Sequence, residues 1–198
     1  MENDIFTGND ISTDLDELVS VEPSPWGSLS GAKVFLTGAT GVFGRWMLES
    51  LLWANDKLDL KATVTVLVRD PELWTRRLPR LAKHKAVKMV TGDILSFDFP
   101  QGTFSHIVHL ASPSGKVHQA DPIYAFELIH GGAKRVLDLA VACGTERFLY
   151  VSSGAVYGRH YKKILCIPET CLEAPDPLSV RNSAYDEGKR TGELLCSL

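Results

Sequence analysis

The sequence predicts an α/β fold, a doubly wound parallel sheet with helices on both faces. Two observations carry the prediction. From Lys33 onward, short apolar and β-branched runs alternate with stretches of helical periodicity, which is the pattern of βαβ units. The first of those runs ends at a glycine, and two further glycines follow at intervals of three as a helical stretch opens.

The gross numbers agree. A chain of 198 residues suffices for one good domain with tails. Its 44% hydrophobic and 23% charged residues are ordinary for a globular protein. A net charge of -3 gives no electrostatic case for nucleic acid or a membrane surface. No apolar run reaches the roughly 18 residues of a membrane span. The N-terminus is acidic and polar, unlike a secretory leader, so a cytoplasmic location is expected. Cys143, Cys166, Cys171 and Cys196 form no C-x-x-C pair; reduced thiols and no metal site are expected.

The elements follow in order. Residues 1–30 read as an acidic extension, with a short helix over Ile11 to Leu18 capped by Ser12 or Thr13, then a break at Glu22 to Gly27. The extension is expected to pack on the domain, to meet a partner or to be disordered. Val34 to Thr37 reads as a buried parallel strand, and Val42 to Trp53 as a helix with Val42, Met47, Leu48, Leu51 and Leu52 at helical spacing. Thr63 to Val68 is a second strand. Pro71 to Lys83 reads as a basic helix with Pro71 in its first turn. Val87 to Val90, His106 to Leu110 and Arg147 to Val151 are the third to fifth strands. Tyr124 to Ala142 is an amphipathic helix weakened at Gly131 and Gly132, and Ser183 to Cys196 is a last helix.

Glycines between a strand and a helix are the context of a phosphate loop. One permits the tight turn, one lets the backbone approach a pyrophosphate, and one lets helix and strand pack closely. The helix N-terminus then offers free N–H groups and a positive dipole end. The backbone from Gly38 through Thr40, Gly41, Val42 and Phe43 to Gly44 is therefore expected to hold a dinucleotide in a Rossmann-type domain. The spacing G-x-x-G-x-x-G differs from the commoner G-x-G-x-x-G. In such domains an acid after the second strand binds the ribose, while an arginine accommodates a 2′-phosphate. Arg69 stands there, with Arg76, Arg77 and Arg80 beyond it, which leans to NADP or dual use; the alternative is a solvated basic helix. Asp93, with Ile94 beside it, follows the third strand and is placed at the adenine edge.

Tyr185 and Lys189 lie four apart on one helix face. An ammonium beside a phenol favours phenolate, so a group of ordinary pKa near ~10 becomes a base near neutrality. Ser153, at the end of the fifth strand, supplies a hydroxyl for a substrate oxygen.

Four ordered motifs now stand on the chain: the glycine loop, His109-Leu110-Ala111-Ser112, Val151-Ser152-Ser153-Gly154-Ala155-Val156-Tyr157-Gly158, and Tyr185-Asp186-Glu187-Gly188-Lys189-Arg190. Together they resemble the extended short-chain dehydrogenase/reductase family, in its nucleotide-sugar epimerase/dehydratase branch. The resemblance runs from Lys33 to the C-terminus. It implies Ser153, Tyr185 and Lys189 as the catalytic residues and nicotinamide along Leu110, Ala111 and Ser112. It leans to NAD, so the choice between NAD and NADP stays open. It also implies a nucleotide sugar as substrate. The 4,6-dehydratases of the branch carry Asp-Glu after the catalytic Thr, and UDP-glucuronate decarboxylases a Glu; this chain has Gly154-Ala155. The helix with Tyr185 and Lys189 is nonetheless similar to the decarboxylase helix. Oxidation of a sugar hydroxyl is common to all, and epimerisation is ranked first.

Extended members continue with another strand and a smaller substrate domain. Residues 31–198 are thus expected to be an incomplete NAD(P)-binding domain from a chain roughly twofold longer. Alone, it is expected to bind dinucleotide weakly at best and to turn over no sugar nucleotide. The exposed sheet edge invites association, with a homodimer the form considered. Two other readings are an NADPH-dependent carbonyl reductase and a non-catalytic dinucleotide-binding domain. His106 and His109 read as packing or solvent-facing residues, Trp46, Trp53 and Trp74 as packing, and Tyr157 as part of the site wall.

Overall fold

The computed structural model describes residues 11–113, 115–158, 166–171, 173–178 and 183–198. The first ten residues of the acidic extension lie outside that set. Ser12–Val19 forms α1, and Trp26–Leu29 a 3₁₀ turn. Neither Ser12 nor Thr13 caps α1; Ile11 holds the cap position without a side-chain hydrogen bond. Burial holds the helix instead. Leu15 is 1% exposed. The Trp26 indole donates to the Leu18 carbonyl at 3.0 Å. Asp16 accepts from the Trp53 indole at 2.8 Å and pairs with Lys57 at 3.1 Å. Residues 12–29 therefore pack on the domain.

The remaining elements are β1 (Lys33–Thr37), α2 (Val42–Leu58), β2 (Thr63–Val68), α3 (Pro71–Arg77), α4 (Pro79–Ala82), β3 (Val87–Thr91), β4 (His106–His109), α5 (Gly115–Ala120), α6 (Pro122–Cys143), β5 (Arg147–Tyr150) and α7 (Ser183–Ser197). The strands pair in the order β3-β2-β1-β4-β5. Every pair is parallel, with Val34 opposite Val64 and His106, and His109 opposite Thr37 and Tyr150. Successive strand residues point to opposite faces. Val34 and Leu36 accordingly join Leu48, Leu52, Trp74 and Leu81 in one core. Phe35 joins Phe97, Phe104, Ile107 and Val136 in another. Helices cover both faces, and the sheet is of the Rossmann type.

Two helices differ in extent from the sequence pattern and a third runs through its expected weak point, each for a local reason. α2 runs on to Leu58 and stops at Asp59, whose φ of 50° is left-handed. The expected helix over 71–83 divides at Leu78, because Pro79 has no N–H to donate and restricts the residue before it. α6 passes through Gly131 and Gly132 unbroken. A Cβ at either would come within 2.9 Å of the Leu95 or Ile94 side chain, so the missing side chains admit the loop after β3.

Candidate functional site

The expected site residues other than Tyr185 and Lys189, which lie on α7, follow the C-terminal ends of parallel strands: Gly38 after β1, Arg69 after β2, Asp93 after β3, Leu110 after β4 and Ser153 after β5. The strand order reverses between β1 and β4. Open α/β sheets bind their ligands in the crevice above that point.

The three glycines divide the work. Gly38 has φ +75°, and a Cβ on it would lie 2.7 Å from the Ala111 nitrogen and the Leu110 carbonyl carbon. The loop is thus seated directly on the backbone leaving β4. A Cβ on Gly44 would lie 2.1 Å from the Gly38 oxygen, so α2 packs on its own loop only through glycine. Gly41 meets nothing nearer than 3.4 Å. It holds the N-cap position of α2 with no side-chain cap, and no acid lies in the first turn. Val42 and Phe43 are exposed. The free N–H groups and dipole end of α2 therefore face open space, a cradle that fits a pyrophosphate.

The adenosine end is less committed. Arg69, Arg76 and Arg77 are exposed. Arg80 is engaged with the buried Glu49 of α2. Asp70 caps α3 through the Leu73 N–H at 2.8 Å. Asp93 takes the Leu95 N–H on its carboxylate at 2.9 Å and the Phe97 N–H on its carbonyl at 2.7 Å, so it shapes the turn after β3. Ile94 is buried against Gly132 and belongs to the core.

On the other side of the crevice, Leu110 and Ala111 are half-buried and Ser112 is exposed. The Ala111 N–H donates to Thr37 Oγ1 at 3.1 Å, and that oxygen lies 2.7 Å from His109 Nδ1. Burial, with the nearby Lys189 ammonium, pulls the His109 pKa down to about 3.

Lys189 is 3% exposed. Its ammonium donates to the Val151 carbonyl at 2.8 Å and lies 5.2 Å from the Tyr150 ring centroid and 5.9 Å from that of Tyr185. Burial lowers its pKa to about 8. Tyr150 is pushed above the ordinary phenol range, chiefly by burial. A Cβ on Gly192 would sit 2.2 Å from the Tyr150 hydroxyl oxygen, so α7 reaches β5 only because that position is glycine. Ser153 caps the 3₁₀ turn Gly154–Tyr157, its Oγ accepting the Ala155 N–H at 3.2 Å. A hydroxyl that accepts there still has its proton to donate. The Tyr157 hydroxyl donates to Glu169 at 3.1 Å, which raises its pKa.

Sequence reasoning passed over Thr37, Tyr150, Gly192 and the Val151 carbonyl. A polar β-branched residue closing a buried strand, and a glycine three positions after Lys189, were the available signals. A backbone carbonyl leaves none. Among the described residues, no cluster of three metal-binding side chains occurs, and no helix is long and apolar enough to cross a membrane.

The NAD dependent epimerase/dehydratase family model matches residues 34–197. UDP-glucuronic acid decarboxylase 2 of Arabidopsis thaliana is 31% identical over 169 residues, which are 83% of this chain and 35% of that protein. UDP-glucuronic acid decarboxylase 4 of the same plant is 30% identical over 82% of this chain and 34% of its own length. The chain thus spans about a third of these relatives. Among solved structures, the UDP-Glc/GlcNAc 4-epimerase of Campylobacter jejuni superposes with a TM-score of 0.66 at 20% identity, over 84% of this chain and 48% of that one. The dTDP-glucose 4,6-dehydratase of Streptomyces venezuelae, solved with NAD bound, gives 0.63 at 24% identity over 82% and 50%. Both likenesses show the fold.

Proposed function

The chain belongs to the NAD dependent epimerase/dehydratase family, and from that premise we propose that the protein oxidises a hydroxyl of a nucleotide sugar, with Tyr185 as the base. The observation that carries the reading is Lys189, buried, docked on the Val151 carbonyl and 5.9 Å from the Tyr185 ring. An ammonium held there lowers the energy of a phenolate on Tyr185. Ser153 donates its proton to the sugar oxygen, and Tyr185 removes the proton of that hydroxyl. The loop from Gly38 to Gly44 cradles the pyrophosphate of NAD or NADP, and Leu110, Ala111 and Ser112 border the nicotinamide. A bound dinucleotide would supply reversible hydride acceptance for the oxidation of the alcohol and the later reduction of the ketone. Arg69 is free to meet a 2′-phosphate, and its replacement by Ala tests that preference.

Gly154 and Ala155 supply no carboxylate for water elimination, so return of the hydride to the opposite face of the ketone, epimerisation, is the first outcome. Similarity to the UDP-glucuronic acid decarboxylases favours a second. Oxidation of a hydroxyl β to a carboxylate gives a β-keto acid, which loses carbon dioxide without help from the missing acids.

The test incubates the purified full-length protein with UDP-glucose, UDP-glucuronic acid, NAD, NADP and NADPH and follows products by NMR. Tyr185→Phe is expected to lower turnover by about 100-fold or more, the usual scale of general-base catalysis. Full activity in Tyr185→Phe refutes the role. NADPH consumed in step with product replaces this reading with that of a carbonyl reductase.

A further inference from the structure

Where the strand order reverses, one buried hydroxyl joins two strand ends. Thr37, the last residue of β1, is fully buried. Its oxygen accepts the Ala111 N–H at 3.1 Å and lies 2.7 Å from His109 Nδ1. A hydroxyl has one proton to give. Buried in this position, the Thr37 proton needs an acceptor, and His109 Nδ1 is at the right distance. That places the imidazole proton on Nε2, a buried atom with no hydrogen-bond partner among the described residues. The groups facing the ring are the Thr37 hydroxyl of β1, the Tyr150 ring of β5 stacked at 5.7 Å, and the Lys189 ammonium of α7. A second proton on His109 would remove the acceptor from Thr37 and set a cation beside Lys189.

We propose that His109 is a positioning residue of the dinucleotide crevice: by accepting the Thr37 proton at Nδ1, it fixes the Thr37 oxygen as the acceptor of the Ala111 N–H. The consequence reaches the phosphate loop. Gly38 lies so close to the Leu110–Ala111 backbone that a Cβ would come within 2.7 Å of it. A shift of the Ala111 peptide therefore displaces Gly38. One hydrogen-bonded chain, from His109 through Thr37 to Ala111, sets the separation of the two walls. This inference rests on the dinucleotide site proposed above, and His109 touches neither cofactor nor substrate in it.

The experiment titrates NAD and NADP into the purified full-length protein, by calorimetry or ligand-observed NMR. Four proteins are compared with wild type: His109→Leu, His109→Asn, Thr37→Val and the double variant His109→Leu/Thr37→Val. Asparagine keeps an acceptor near the Nδ1 position; leucine and valine do not. His109→Leu and Thr37→Val are each expected to weaken binding by about tenfold, with the double variant no worse than either, as coupled residues behave. His109→Asn is expected to stay within about threefold of wild type. In wild type without ligand, imidazole NMR is expected to show a neutral ring with its proton on Nε2, still neutral at about pH 5, below the ordinary histidine pKa. Wild-type affinity in His109→Leu, additive losses in the double variant, or a proton on Nδ1 overturns the proposal. If His109→Leu fails to fold, the isosteric Thr37→Val carries the same comparison. Wild-type full-length protein that binds neither dinucleotide overturns the site reading and this inference together; equal affinity of wild type and His109→Leu for a dinucleotide overturns this inference alone.

Discussion

Replacing Lys189 with methionine should make the protein more stable and disable it. Lys189 is 3% exposed, and burial lowers its pKa from 10.5 to about 8. At about 1.4 kcal/mol per pH unit, holding that charge in the folded state costs about 3 kcal/mol. Methionine fills similar volume without charge but loses the bond to the Val151 carbonyl, which is worth about 1 kcal/mol. The net expectation is a gain of about 2 kcal/mol at pH 7. The pH dependence follows from the depressed value. Between about 8 and 10.5 the unfolded chain binds more protons than the folded one, so wild-type stability rises with pH across that window. The penalty is fully present below pH 8 and largely relieved near pH 10. The advantage of Lys189→Met should therefore shrink by roughly 2–3 kcal/mol between those conditions. Urea unfolding of both proteins at neutral pH and near pH 10 measures this, provided the slopes agree. A variant less stable than wild type at neutral pH, or a difference that does not change with pH, refutes the reasoning.

Two further predictions concern the scaffold. Gly44→Ala puts a methyl 2.1 Å from the Gly38 oxygen and should disrupt the loop and lower stability by about 1–3 kcal/mol, as overpacking does. Gly41→Ala meets only an ordinary contact at 3.4 Å and should fold normally while losing dinucleotide affinity. Thermal unfolding beside NAD titration separates the two, and equal thermal midpoints would contradict the division of roles. Leu15→Ala in α1 removes a side chain that is 1% exposed and should cost about 2–5 kcal/mol by urea unfolding; a loss near zero would mean that α1 is not part of the folded core.

How much of this was legible in the sequence depends on the kind of interaction. The strands were readable because fully buried parallel strands are nearly continuous apolar runs, as Val34 to Leu36 and, with Thr65 as the one exception, Val64 to Val68 are. The glycine loop was readable because steric exclusion leaves glycine alone at Gly38 and Gly44. The break at Leu78 was missed although Pro79 announces it, because a basic, polar stretch was read as one helix. His109 was given a bland reading, since a histidine in a strand has no signature of its partner until the register places Thr37 beside it. Asp93 shows what position after a strand leaves out: one carboxylate oxygen and its carbonyl also shape the turn that follows β3, which its place in the sequence did not announce. The docking of Lys189 was invisible because a carbonyl is the same on every residue.

The bond from Lys189 to the Val151 carbonyl ties together two points 38 positions apart in sequence. It works as a knot at the neck of a purse. The entropy of closing such a loop grows only with the logarithm of its length, so doubling the enclosed segment changes the cost by about 0.6 kcal/mol. The segment inside the neck can lengthen, shorten or change composition while the ammonium stays where it is. A helix tied to the sheet in this way keeps the Lys189 ammonium against β5 at a cost that depends little on how much chain lies between them.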